Sequence, residues 1–203
     1  MITVSQIPAK EAEPWILLKH YAKRIPCVCF AFGAFDNGEL VGICTYGIPA
    51  SPYLCFGVCG YQYKDIVLEL NRLCCDSRKN LASTLVAKSL SLLPKPKIIV
   101  SYADCGQGHV GYIYQATNFL FTGTTKERTD IYSESGHSRH SQSDWTKRQP
   151  RSSKHRYVYF CGDRRQKLQM SQALKYPIEA YPKGESKRYD ASPKVEIQMV
   201  MSI

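Results

Sequence analysis

Three consecutive β-branched residues, Ile98, Ile99 and Val100, constrain the fold of this 203-residue chain more than any other stretch. Strand side chains alternate between faces, so an unbroken apolar run needs cover on both sides, as in a parallel sheet. Pro94 and Pro96 precede the run, and Ser101, Tyr102 and Asp104 close it with polar groups. Before the prolines, LASTLVAKSLSLL repeats at helical period. Leu81, Leu85 and Leu92 form one stripe, with Ala82, Val86, Leu90 and Leu93 beside it and Thr84, Lys88 and Ser91 toward water. Residues 66–75, IVLELNRLCC, read as an earlier strand. Strand, helix, strand in this order predicts two central parallel strands, each followed by a helix. The carboxyl end of such a strand is where ligands bind in open α/β sheets. The polar cluster at 101–104 is therefore a candidate site.

The rest of the chain fills in around this unit. Residues 14–24 predict an amphipathic helix that starts at Pro14 and is ended by Pro26. CVCFAFGAF and ELVGICTYG flank Asp36-Asn37-Gly38, a strong hairpin signal because Asn-Gly supplies the positive φ angles of a tight turn. A short strand is expected near 54–60, a helix over about 110–118, and a closing pair of strands at 124–133 and 156–161. Residues 136–156 are polar, Ser-rich and basic without periodicity, which predicts a long mobile loop. The expected organisation is one domain over 1–165 that includes this loop, and a C-terminal extension, 166–203, packed on it. The element order is similar to that of GNAT-type acyltransferases, a mixed α/β sheet with splayed central parallel strands.

Charge points to a polyanionic partner. There are 27 Lys and Arg against 17 Asp and Glu, and residues 126–203 hold 16 of the basic and 9 of the acidic side chains. No apolar run approaches membrane-span length and no cleavable signal opens the chain, so a soluble protein of the cytoplasm is expected. Nine cysteines without a C-x-x-C pair indicate neither a disulfide framework nor a zinc ribbon, and reduced thiols are expected.

Four constellations carry possible chemistry. Glu69, Asn71 and Arg72 interrupt an apolar strand, where charge is costly unless paired. Alternation places Glu69 and Asn71 on one face and Arg72 on the other, and Arg72 with Asp76 would line a cleft beside the 101–104 strand end; a structural Glu–Arg network is the plain alternative. Arg78, Asn80 and Ser83 open the following helix at the place where CoA-dependent acyltransferases carry a glycine-rich pyrophosphate turn. Here Leu81 replaces the first glycine, so its side chain is expected to obstruct a diphosphate, which argues against ordinary acetyl-CoA use. Asp104 and His109 could act as base and acid or as metal ligands, and with His20 they would suit non-haem Fe(II); a surface position on its amphipathic helix is the plain alternative for His20. Tyr112, Tyr114, Gln115 and Asn118 crowd one short helix, where they could hold a flipped base or simply pack the helix.

ELNRLCCD, Asn80-x-x-Ser83, SYAD, His109, YIYQATNFLFTG and the closing YPKGESKRYD resemble the Mom family of phage DNA-modification proteins. HYAKRIP and FGAFDNGELVG extend the resemblance over most of the chain. It implies a GNAT-like fold and conversion of adenine in double-stranded DNA to N6-carbamoylmethyladenine, which protects phage or prophage DNA from host restriction. It also implies an active site containing Arg72, Asp76 and Ser101, and iron held through His20 and Tyr21. Asp104 and Tyr114 join the candidate catalytic set, and His109 the candidate metal ligands. The donor of the carbamoylmethyl group is left open, with a host-derived source expected and a dimer compatible with the chain. Phosphates would be met by Arg139, Lys147, Arg148, Arg151 and Lys154, with Trp145 available to stack or wedge. Two rival readings remain: a CoA-dependent N-acetyltransferase and a non-catalytic DNA-binding anti-restriction protein.

Overall fold

The computed structural model describes residues 1–133 and 143–184. The chain divides into two compact units. The first contains Met1–Ser51 and Leu68–Lys95, and the second Pro52–Val67 and Pro96 onward.

In the first unit, β1 (Thr3–Ile7), β2 (Phe30–Asp36), β3 (Glu39–Gly47) and β4 (Val67–Cys75, whose first residue belongs to the other unit) pair in that order, each antiparallel to the next. The β2–β3 turn has Asn37 at φ 50° and Gly38 at φ 85°, the two positive angles anticipated for a two-residue hairpin. Helix α1 (Ala9–Pro14) begins earlier than its prolines suggested and runs into a π-helical turn, Trp15–Lys19. Pro14 has no N–H to give the helix, and the last turn closes instead by the wider bond from the His20 amide to the Trp15 carbonyl at 3.1 Å. Ile7, Ala12, Ile16, Ala31, Ile43 and Cys74 make one core. After a short helix in the second unit (α2, Pro52–Gly57), α3 (Leu81–Leu92) buries Leu81, Leu85, Val86, Ser89 and Leu90. Leu92, expected on the apolar stripe, is 51% exposed, because the helix ends there and Leu93 turns inward in its place. Ser89, polar but fully buried, shares a 2.6 Å hydrogen bond with the Tyr46 hydroxyl.

In the second unit, residues 54–60 are not the expected strand: α2 is followed by a 3₁₀ segment, Tyr61–Ile66. Strand β5 (Lys97–Asp104) is confirmed, with Ile98, Ile99 and Val100 fully buried. Helix α4 (Tyr112–Ala116) is shorter than expected and leads to β6 (Leu120–Thr124). Asn118 lies beyond the helix at φ 60°, so it shares no helical face with Tyr114. The expected closing pair is rearranged. β7 (Arg128–Ser133) pairs with β8 (Ser143–Arg151) as a two-stranded ribbon, while β9 (Lys154–Cys161) lies between β5 and β6. Much of the expected mobile loop at 136–156 is thus β8 and the start of β9; residues 134–142 lie outside the described residues.

A capping box of Asp163 and Gln166 starts α5 (Arg164–Gln172), whose Met170 joins the core of Val58, Val67, Ile98, Val100, Val158 and Phe160. The segment after it is tied down by the Lys175 amide to the Val58 carbonyl, the Glu179 amide to the Phe121 carbonyl and the Tyr181 hydroxyl to the Phe119 carbonyl, at 2.8, 3.0 and 2.7 Å.

All nine cysteines are free. Burial pushes the Cys44 and Cys74 thiols up to about 12 and Cys59 to about 11, so these are inert core groups. Cys27 and Cys29 are exposed because they precede β2 instead of lying in it. No helix among the described residues is long and apolar enough to cross a membrane.

Candidate active site

β4 carries a bulge where its polar residues fall. Tyr46 faces Leu70 and Thr45 faces Arg72, which leaves Asn71 with no opposite residue. The simple alternation expected for Glu69, Asn71 and Arg72 breaks at this point. Asn71 uses its freedom to bridge two chains: its amide donates to the Cys27 carbonyl at 2.9 Å and its carbonyl accepts the buried Thr45 hydroxyl at 2.6 Å. Gly47 allows this approach, since a Cβ there would stand 1.8 Å from the Cys27 oxygen.

The Arg72 guanidinium is fixed by backbone carbonyls. Nε and Nη2 donate to the Arg24 carbonyl at 3.2 and 2.8 Å, and Nη1 to that of Asn71 at 2.6 Å. Burial lowers its pKa, the nearby Arg24 charge adds to this, and Tyr21 and Glu69 oppose it. It stays a cation, because guanidinium is protonated at any working pH. His20 is buried, not a surface residue, and its Nδ1 accepts the Ala22 amide at 3.0 Å while its ring stacks on Tyr21 at 4.4 Å. That amide fixes Nδ1 as an acceptor. Among the described residues no group of three or more His, Cys, Asp or Glu is placed to hold a metal ion.

The start of α3 differs from the expectation in one respect. Leu81 is only 2% exposed, its side chain turned into the core, so it does not stand in front of the helix. Asp76 accepts the Arg78 backbone amide at 3.1 Å and pairs with the Arg78 guanidinium, whose Nε also reaches Asp36 at 3.7 Å. Asp36 in turn meets the Met1 ammonium at 3.3 Å, so two carboxylates are balanced by two cations beside the helix start. Asn80, at φ 59°, makes no side-chain cap, and the Ser83 hydroxyl donates back to the Asn80 carbonyl at 3.0 Å.

In the second unit, Ser101 is fully buried on β5 opposite Tyr157 of β9. Asp104, at the strand end, is saturated. Its Oδ2 pairs with Lys154 Nζ at 2.5 Å, and its Oδ1 accepts the Gly106 amide at 3.0 Å and the Ser152 hydroxyl. Burial alone would raise this carboxyl, but the hydrogen bonds from Lys154 and Ser152, the Lys154 charge and the Gly106 amide outweigh it and hold it below the ordinary carboxylate range. His109 is exposed, with its amide bonded to the Asp104 carbonyl at 3.1 Å. Tyr114 packs against Phe119 and Tyr157, centroids 5.4 and 5.2 Å apart. Gln115 donates to the Val110 carbonyl, the Tyr157 hydroxyl and the Pro182 carbonyl, so its amide serves the fold.

Of the candidate DNA contacts, Lys147, Arg148 and Arg151 are exposed on β8, and Trp145 belongs to the same strand. Arg139 lies outside the described residues. Lys154 is spent on Asp104 instead of facing solvent as a free cation. Sequence reading missed Asn71 and Ser152 as partners and Arg128 altogether. The bulge and the β7–β8 register that give them meaning leave no periodic trace.

The fold is a GNAT-like mixed α/β fold. It is shared with yncA from Salmonella typhimurium, described as an acetyltransferase and solved with acetyl-CoA, at TM-score 0.50 and 8% identity over 80% of this chain and 95% of that one. An N-acetyltransferase from Staphylococcus aureus Mu50 superposes at TM-score 0.49 and 13% identity, covering 79% of this chain and 99% of that one. The Mom protein family's sequence profile matches residues 1–183, and the chain belongs to that family. The methylcarbamoylase mom of Escherichia phage Mu is 28% identical over 130 residues, 61% of this chain and 54% of that protein. The chain thus matches about half the length of this curated relative.

Proposed function

We propose that this protein is a phage or prophage DNA-modification enzyme that transfers a carbamoylmethyl group to N6 of adenine in double-stranded DNA, in the host cytoplasm. The observation that carries this reading is the family match over residues 1–183, which takes in every candidate catalytic residue. The name of the phage Mu relative, a methylcarbamoylase, supports transfer of a small amide-bearing group, and its carbamoylmethyl connectivity is what the family resemblance implies.

Adenine N6 is a weak nucleophile, since its lone pair is delocalised into the ring, and it sits inside the duplex until the base is extruded. The reaction forms a bond from N6 to the donor's methylene carbon, breaks the bond to the donor's leaving group and releases one N6 proton. In this reading Arg72, an arginine held rigid by carbonyls, stabilises negative charge that develops on the donor. Asp104 is a poor base, because its oxygens are occupied and its pKa is depressed, so it acts as a positioning residue. Asp76, which is partly exposed and follows directly on the strand that carries Arg72, is the carboxylate we assign to the N6 proton. Arg78 meets both its oxygens and must yield one of them for this step. Fully buried Ser101 supports the strand end.

The test is nucleoside mass spectrometry of DNA from cells expressing the protein together with its phage's accompanying genes. An adenosine heavier by one carbamoylmethyl group is expected. Unmodified adenine in cells that accumulate folded protein would overturn the reading. Tight acetyl-CoA binding by calorimetry with acetylated product would replace it with the acetyltransferase reading.

A further inference from the structure

We propose that the β7–β8 ribbon is the arm that holds duplex DNA, with Arg128 and Arg151 at its root closing on a backbone phosphate. The inference rests on the DNA reading above. Among the described residues each of these strands pairs only with the other. A two-stranded ribbon is marginal in water by itself and gains from a partner. Pro150, opposite Thr129, is tolerated because both strands are edges.

The register places Arg128 directly opposite Arg151. Like charges in that position destabilise a ribbon, and an anion between them reverses the sign. Asp130, two residues along β7 on the same face, reaches Arg151 at 3.3 Å. Among the described residues no ion pair reaches Arg128, so the three groups keep a net positive charge. Both arginines line an open groove with Glu127, Thr129, Pro150 and Ser152. The Glu127 carboxylate weakens this groove for a small free anion, which favours a polyanion that engages further cations at once. Those cations exist. Arg148 faces Ile131, one step from the Asp130 pair and so on the other face of the ribbon, and Lys147 is exposed beside it. Cations on both faces suit an element lying between two phosphate chains, and the major groove of a duplex admits a two-stranded ribbon.

The root is braced for such a task. Ser152 and Lys154 both bond Asp104, the Cys105 amide donates to the Ser153 carbonyl at 3.1 Å, and Thr125 and Lys154 exchange bonds of 2.9 Å.

The test uses the full chain and a duplex of about two helical turns, with affinity measured as a function of salt for wild type, R128Q, R151Q, the double variant, D130N and the control K10Q in α1. Each neutralised phosphate contributes about 0.9 to the slope of log affinity against log salt. Because both arginines close on one phosphate, the double variant should lower the slope by about 0.9 and each single variant by a part of that, with K10Q unchanged. D130N, which frees Arg151, should tighten binding. R128Q should melt no lower than wild type, since it removes a like-charge contact; a structural role would lower it. A double variant that keeps both wild-type slope and affinity would overturn the proposal while leaving the DNA reading intact. Wild-type protein that binds no duplex at low salt would end both.

Discussion

Arg72 on β4 and Asp104 at the end of β5 are the two charges the sequence singled out at the central strands, and the structure treats them in opposite ways. Arg72 is partly desolvated and held by neutral carbonyls of Arg24 and Asn71, so its charge is fixed in place and only partly offset, by Tyr21 and Glu69. Asp104 is met by Lys154, Ser152 and the Gly106 amide, so its charge is cancelled where it stands. A rigid, uncancelled charge can act on a substrate, whereas a cancelled one organises the backbone around it. Under the proposed function, chemistry falls to the first and architecture to the second.

The largest expected effect breaks the contrast on the Arg72 side. Replacing Arg72 by Ala should reduce adenine modification by about a hundredfold or more, and Lys should restore little of it, because one ammonium cannot reproduce three fixed N–H donors. Nucleoside mass spectrometry and a melting curve, read together, check this. A variant that melts normally and modifies DNA at wild-type rate would remove Arg72 from the chemistry.

Asp104→Asn should act on stability first, costing about 2 to 3 kcal/mol in denaturant unfolding, since Lys154 would be left without its partner. The pH dependence follows from the sign of the shift. The folded pKa lies below the ordinary carboxylate value, so the contribution is complete above about pH 4 and is lost as pH falls through the folded pKa. Wild type should lose stability across that acid window more steeply than D104N. An equal slope for both would show that the Lys154 contact carries no net weight.

Asn71→Ala removes the bridge between the Thr45 hydroxyl and the Cys27 carbonyl and should cost about 1 to 2 kcal/mol. It should also loosen the segment that supplies the Arg24 carbonyl to Arg72, so modification should fall further than stability alone explains. The smallest effect is expected at Arg78, whose exposed pairing with Asp76 and Asp36 should be worth about 0.5 kcal/mol or less. A large stability loss in Arg78→Ala would mean that the α3 start is held by charge and not by the buried Leu81.

The elements built on strong local patterns were legible. The Asn-Gly hairpin, the strand over 97–104 and helix α3 all follow from spacing or turn chemistry. The N-terminal helix was misplaced because a proline was taken as its start, while the chain absorbs Pro14 with a π turn. The polar segment after 142 reads as a loop because it lacks apolar alternation, and Lys147, Arg148, Pro150 and Arg151 of its strand are exposed on both faces.

The sequence by itself determined the family, the two strand–helix units and the residue types of the candidate site, because these are carried by local order and by motifs. Tertiary structure alone decided what each charge does. Whether a carboxylate is a base or a brace depends on which ammonium lies opposite it, and Lys154 lies 50 residues from Asp104. Whether a cation is available depends on a bulge at Asn71 and a register that sets Arg128 against Arg151. Such pairings form only when distant strands meet, so no local pattern in the chain encodes them.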